Sequence, residues 1–282
     1  VCATNIDPQD WDPARFDRAA LRAKQGIAPD AFVGLFPARL EHVKRPPLAI
    51  ALMRAVVQQV PGARFLIAGD GTYSGFLESY IRSHGLGQQI HMLGSVSNQR
   101  MRELLALSDV LLLPSRMEGL SLAIYEAMAM GVVPVSVAAG GQAELVTPEC
   151  GILVPHGPQE QQQYTQALLE LARHRPRLTA MARAARERVA GQFRLDQMGN
   201  RIHALLYEAQ TLHEQQPRPL RGADDVQEAI EQASSMAARD AAWTQPQRVD
   251  TNSPRRRLRN LYWWLVARGA WWLVPLAERL RG

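Results

Sequence analysis

Short apolar runs alternate with longer stretches of helical period from residue 32 to residue 155, and this rhythm restricts the chain more than any other feature. The runs are Phe32–Phe36, Arg64–Ala68, Ile90–Leu93, Val110–Leu113, Val132–Val137 and Ile152–Val154. Between them, apolar residues recur at helical spacing near Pro47–Val60, Gly75–His84, Gln99–Leu107 and Leu122–Met130. A strand, a crossover helix and a second strand bring the two strands side by side and parallel. Six such strands therefore predict an α/β fold with a doubly wound, Rossmann-like parallel sheet. Further helical patterns over Gln159–His174, Pro176–Val189 and Leu195–Leu212 close that domain. The expected organisation is a domain over 1–212, a linker over 213–254 with one helix at Asp224–Trp243, and a distinct C-terminal segment over 255–282.

Charge narrows the choice of partner. The net charge is +5, but seven Arg and one Glu lie between 255 and 282, so that segment carries +6 and the residues before it sum to −1. A neutral body with a basic tail lacks the broad cationic surface that tracks nucleic acid, and no nucleic-acid partner is expected. Cys2 and Cys150 are far apart and form no C-x-x-C, which gives no disulfide framework and leaves a reducing cytoplasm as the default. The seven His are scattered, without a zinc-site pair, so no metal is expected. Val1 is not followed by a charged stretch and an apolar run, so no signal peptide is expected and the chain reads as part of something longer.

The sharpest local pattern runs from Pro114 through Ser115, Arg116, Met117, Glu118, Gly119, Leu120, Ser121 and Leu122 to Glu126. A strand ends, a loop follows, and a helix opens near Ser121. In an open α/β sheet this loop lies at the carboxyl end of a strand, where ligands bind. The first N–H groups of the helix, at its positive dipole end, suit a phosphate, and Gly119 permits close approach. Glu118 and Glu126 stand beside this anion site with seven residues between them. A carboxylate beside phosphate is repulsive unless it serves another purpose, and accepting hydrogen bonds from sugar hydroxyls is that purpose. Taken singly, Glu118 reads as a helix cap and Glu126 as a solvated face residue.

A second pattern follows the first strand, where Arg39 and Lys44 stand five residues apart. Two cations at a strand's carboxyl end can converge on one diphosphate and stabilise a leaving group without a metal. Each alone reads as a solvated surface charge.

Together these residues resemble family 4 of the retaining glycosyltransferases with the GT-B fold. The stretch Pro114–Gly131 is similar to the family's "PS..EG.gl..lEAMA.G", with its Glu, seven residues, Glu motif at Glu118 and Glu126. Arg39 and Lys44 match the Arg and Lys five apart, and Ile67–Gly71, Leu93–Gly94 and Asn5-Ile6-Asp7 match other landmarks. The likeness covers residues 1–212 and corresponds to the C-terminal, nucleotide-sugar-binding half of a GT-B enzyme. It implies transfer, with retention, from an NDP-sugar donor to a glycan or lipid-linked acceptor held by an N-terminal half. It further implies catalytic roles for Glu118, Arg39 and Lys44, with Arg39 and Lys44 on the diphosphate, Glu118 near the donor sugar and Glu126 on the ribose. Backbone contacts would come from Gly119, Leu120, Ser121 and Leu122, and a base pocket from Gly94 and Ser95. No cofactor is implied beyond the NDP-sugar substrate. Two departures stand out: Ala38 replaces the usual Gly before the Arg, and Arg45 the Gly after the Lys.

Other signals carry less. Asp10-Trp11-Asp12 fits a D-x-D metal motif but follows no apolar strand and reads as a connecting segment. Gly69-Asp70-Gly71 reads as a tight turn rather than a phosphate cradle, Asp109 as a structural ligand of backbone near its strand, and Met128 and Met130 as core. In the tail, Trp263, Trp264, Trp271 and Trp272 supply four of the six tryptophans, and Arg255–Arg259 precedes them. The run is too short to span a bilayer and fits equally an anionic membrane interface on the cytoplasmic side or packing against another domain. Two further readings remain open at this point: a non-catalytic nucleotide-sugar-binding module docking through the tail, and a sugar-nucleotide epimerase of the same fold.

Overall fold

The computed structural model describes residues 10–215. Cys2, Asn5-Ile6-Asp7, the linker helix expected over Asp224–Trp243 and the tail over 255–282 lie outside the described residues.

Six strands form one sheet: β1 (Val33–Pro37), β2 (Arg64–Ala68), β3 (Ile90–Met92), β4 (Val110–Leu113), β5 (Val133–Val137) and β6 (Ile152–Val154). Their order is β3-β2-β1-β4-β5-β6, and every neighbouring pair is parallel. This is the doubly wound arrangement expected from the alternation. Helices cover both faces of such a sheet, which is why its central strands are apolar throughout rather than alternating. Val110, Leu111 and Leu112 are fully buried, as are Val33, Leu35 and Phe36.

The connecting helices are α1 (Arg18–Lys24), α2 (Pro46–Gln59), α3 (Ser74–Ser83), α4 (Asn98–Leu107), α5 (Leu122–Ala129), α6 (Gln142–Leu145), α7 (Glu160–Arg173), α8 (Arg175–Gln192) and α9 (Leu195–Gln215). Local chemistry sets several starts. Ser97 caps α4 by accepting from the Arg100 N–H at 3.2 Å, and Pro46 and Pro47 open α2, where a missing N–H costs nothing. Met128 and Met130 are buried, as expected of core residues. The compact unit built on this sheet reaches Tyr207, and a second begins at Glu208, of which only 208–215 is described. Among the described residues no helix is long and apolar enough to cross a membrane.

Two helices were not legible from apolar spacing. In α1 the buried residue is Arg22, so the inward face carries a charge where periodicity looks for an apolar side chain. Its guanidinium donates to the carbonyls of Leu107, Pro29 and Ala31 and to Asp109 Oδ2, between 2.7 and 3.0 Å. Asp109 in turn accepts from the Val33 N–H at 2.7 Å and pairs with Arg18 and Arg175. The structural role expected of Asp109 is thus larger than one backbone bond, since it joins α1, β1 and β4. The other unanticipated helix, α6, is a single turn.

Candidate functional site

The strand order turns between β1 and β4, the point at which crossovers diverge to opposite faces and leave a crevice at the carboxyl ends. The two loops singled out in the sequence are the ones that leave these two strands.

The loop after β1 is held from below. The N–H groups of Ala38, Leu40 and Tyr73 donate to the carbonyls of Ala68, Asp70 and Leu40 at 2.9–3.0 Å, zipping it to the turn after β2. That turn is Gly69-Asp70-Gly71, with φ of 145° at Gly69 and 156° at Gly71. A Cβ on Gly69 would stand 1.9 Å from the Ala38 carbonyl oxygen. The turn therefore serves as a support for the Arg39 loop, in keeping with its reading as a tight turn. Ala38 and Leu40 are buried and leave Arg39 between them exposed, with no ion pair among the described residues. Gly94, at φ 65°, accepts from the Gly69 N–H at 2.7 Å, and Ser95 beside it is exposed.

The loop after β4 is fixed on two sides. The Arg116 N–H donates to the Val43 carbonyl at 2.7 Å, joining it to the β1 loop. On its other side stands Gly140-Gly141 after β5. Gly140 has φ 60°, and a Cβ there would lie 1.9 Å from the Glu118 carbonyl oxygen, while the Gly141 N–H donates to the Gly119 carbonyl at 3.2 Å. Glu118 is consequently pinned, 9% exposed, and its Oε1 accepts both the Ser115 hydroxyl at 2.5 Å and the Lys44 ammonium at 2.6 Å. Ser115 is itself fully buried. Oε2 takes no hydrogen bond among the described residues. Lys44 has three N–H donors, so pairing with Glu118 leaves others for a second anion.

The loop opens into α5 at Ser121, whose hydroxyl makes no capping bond. The N–H groups of Leu122 and Ala123 find no acceptor among the described residues, as the first turn of an uncapped helix requires. Met117 and Leu122 are 72% and 55% exposed, Gly119 is exposed, and Leu120 is half-buried. One turn into α5, Glu126 is half-buried, and burial pushes its carboxyl up to about 7, with Arg102 opposing the shift. Tyr125, next to it, is fully buried with a hydroxyl that finds no partner among the described residues; burial, with Glu144 adding to it, pushes its phenol up to about 12.

Of the four sequence-marked side chains, the structure brings Lys44 and Glu118 into contact. Arg39 and Glu126 stand on the same two connections without touching that pair. Sequence reasoning missed a second ion pair alongside it. Arg45 forks onto the buried Glu160 at the start of α7, Nη1 to Oε1 at 2.5 Å and Nη2 to Oε2 at 2.9 Å. No local signal links residues 115 apart in sequence. The Gly140-Gly141 support did have one, a Gly pair two residues beyond a strand.

The discounted D-x-D segment is otherwise employed. Trp11 is buried beneath the Arg102 guanidinium at 5.1 Å, and Asp12 caps the 3-10 turn Pro13–Arg15 and pairs with Arg186 at 2.7 Å. Among the described residues no group of three or more His, Cys, Asp or Glu side chains stands together as a metal site would require.

The profile of a family described as Glycosyl transferases group 1 matches residues 17–188. The GDP-mannose-dependent monoacylated alpha-(1-6)-phosphatidylinositol monomannoside mannosyltransferase of Corynebacterium glutamicum is 29% identical over 211 residues, covering 72% of this chain and 54% of that protein. The chain spans about half or less of the length of the first curated relatives it matches. In fold it is similar to sucrose-phosphate synthase from Thermosynechococcus elongatus, with a TM-score of 0.64 at 22% identity over 75% of this chain and 52% of that one. It is also similar to the Anabaena protein HepE, solved in complex with UDP and glucose, with a TM-score of 0.63 at 24% identity over 72% of this chain and 55% of that one.

Proposed function

Because the chain belongs to the Glycosyl transferases group 1 family, we propose that it is the donor-binding half of a retaining glycosyltransferase and holds an NDP-sugar in the crevice between the β1 and β4 loops. The observation that carries the reading is the Lys44–Glu118 pair, 2.6 Å across the switch point of the sheet, beside the uncapped N-terminus of α5. Phosphate oxygens would take the remaining Lys44 donors, the exposed Arg39 guanidinium and the Leu122 and Ala123 N–H groups. The pairing also answers the repulsion between a carboxylate and a diphosphate, because Lys44 neutralises Glu118 while leaving Oε2 to accept from a sugar hydroxyl. Glu126, carrying its proton near neutrality, can both donate to and accept from ribose hydroxyls. Gly94 and Ser95 border the base.

On this reading catalysis is electrostatic and positional. As the glycosidic bond to the diphosphate breaks, negative charge grows on the leaving phosphate oxygen, where Lys44, Arg39 and the helix N-terminus stabilise it without a metal. Retention would follow from attack on the face the leaving group departs from, with no enzyme nucleophile. A relative is named GDP-mannose-dependent and a structural neighbour was solved with UDP-glucose, which supports a sugar nucleotide as donor. The acceptor, a glycan or lipid-linked sugar, would be held by a separate N-terminal half, and residues 255–282 would meet that half or the inner face of a membrane.

Calorimetric titration with UDP and with GDP tests the reading. Binding to one of them is expected, and a folded protein that binds neither contradicts it. With an acceptor-binding half present, Glu118→Ala is expected to abolish transfer with folding intact.

A further inference from the structure

Among the described residues Arg45 is the one non-glycine with positive φ, at φ 52° and ψ 53°. Residues with a Cβ are strained there, and glycine is the ordinary occupant. Something must hold an arginine in this conformation, and the structure supplies it. The guanidinium forks onto both oxygens of Glu160, with Nη1 also 3.4 Å from the Pro114 carbonyl. Glu160 is 6% exposed and at the first turn of α7. A bidentate pair of this kind fixes orientation as well as distance.

The pair belongs to a closed circuit. His156 Nδ1 lies 3.1 Å from Glu160 Oε1, and its Nε2 lies 2.9 Å from the Arg116 carbonyl oxygen. The Arg116 N–H donates to Val43, two residues before Arg45. The circuit thus runs Arg45, Glu160, His156, Arg116, Val43 and back to Arg45, and it ties together the two loops that present Lys44 and Glu118. Lys44 lies within it, next to the strained residue, and Glu118 follows Arg116 by two. The Tyr164 hydroxyl, fully buried and unpartnered among the described residues, lies close enough to feel Glu160, Arg45 and Glu118, so the Glu160 end of the fork is shielded from water while the His156 end is exposed.

We propose that Arg45 and Glu160 form a positioning pair that sets the Lys44 ammonium against the distal phosphate of the donor. This rests on the donor-site reading above and deepens it: Arg45 acts through Lys44 rather than on the nucleotide.

The test is calorimetric titration of the whole 282-residue chain with UDP and GDP, and with UMP and GMP, which lack the distal phosphate. Arg45→Gly with Glu160→Gln removes both charges together, leaving neither buried and unpaired, and puts glycine where φ is 52°. This double variant is expected to melt close to wild type, to bind the diphosphate roughly tenfold more weakly and to bind the monophosphate unchanged. In a Lys44→Ala background it should add no further loss, and Arg45→Lys should restore part of the affinity. Should the double variant fail to fold, Glu160→Gln alone, which keeps the shape and one acceptor for Arg45, is expected to show the same loss toward the diphosphate and none toward the monophosphate. Wild-type affinity for the diphosphate in these variants, or a loss that adds to that of Lys44→Ala, overturns the proposal and leaves the donor site standing. A wild-type chain that binds no nucleotide diphosphate removes the donor site and this proposal with it.

Discussion

A carboxyl one turn inside a helix, half-buried and without a side-chain hydrogen bond among the described residues, keeps its proton up to about pH 7. For Glu126 the cause is lost hydration, which Arg102 offsets only in part. Since the folded value lies above the unfolded one, near 4.5, the native state binds the extra proton. The contribution to stability is fully present below about pH 4.5 and is lost as pH rises to about 7. Denaturant unfolding across that window is therefore expected to show a falling stability that flattens in Glu126→Gln, and parallel curves for the two proteins would contradict it. At Lys44 a different balance holds. Lys44→Ala strands Glu118, 9% exposed, with Ser115 as its remaining partner, and is expected to lose about 2 kcal/mol of unfolding free energy. Adding Glu118→Gln should recover most of that loss, because no unpaired charge remains. Both residues were legible in the sequence, because each stands in a short local motif. The pairing of Arg45 with Glu160 was not, because their meeting depends on β1 and the start of α7 being brought together by the whole sheet.

Among the elements, legibility followed burial. All six strands were readable to within a residue or two because a parallel sheet covered on both faces demands unbroken apolar runs, as in Val110–Leu113. Helix α1 was not readable because Arg22, 3% exposed, takes the place an apolar residue would normally fill. The same fact makes α1 sensitive to a substitution that looks harmless by hydrophobicity. Arg22→Leu orphans the carbonyls of Leu107, Pro29 and Ala31 and removes one of three cations from Asp109. It is expected to cost about 3 kcal/mol, measured by urea unfolding, against little change for Arg183→Leu on the exposed face of α8. Equal midpoints for the two variants would show that the buried guanidinium does not hold α1 in place. The 310 and one-turn elements escaped sequence reading for a simpler reason, since three or four residues carry no period.

At the scale of the whole molecule, the strand order β3-β2-β1-β4-β5-β6 decides where chemistry can sit. Only between β1 and β4 do two carboxyl-end loops part to opposite faces, and there the sheet brings together residues 74 apart, Lys44 and Glu118. The supports are distributed likewise: the turn after β2 holds the first loop, the Gly pair after β5 holds the second, and Glu160 after β6 anchors the residue beside Lys44. An alternation of strands and helices foretells this sheet, and the motif spacing foretells which loops matter. The supports arise from backbone approach and long-range ion pairs, which leave little trace in local sequence. The most direct measurement is a crystal structure of the chain with UDP or GDP bound. The diphosphate is expected against the Lys44 ammonium and the Leu122 and Ala123 N–H groups, with Glu118 still paired to Lys44. A nucleotide bound at any other edge of the sheet, with the β1 and β4 loops untouched, would contradict the account.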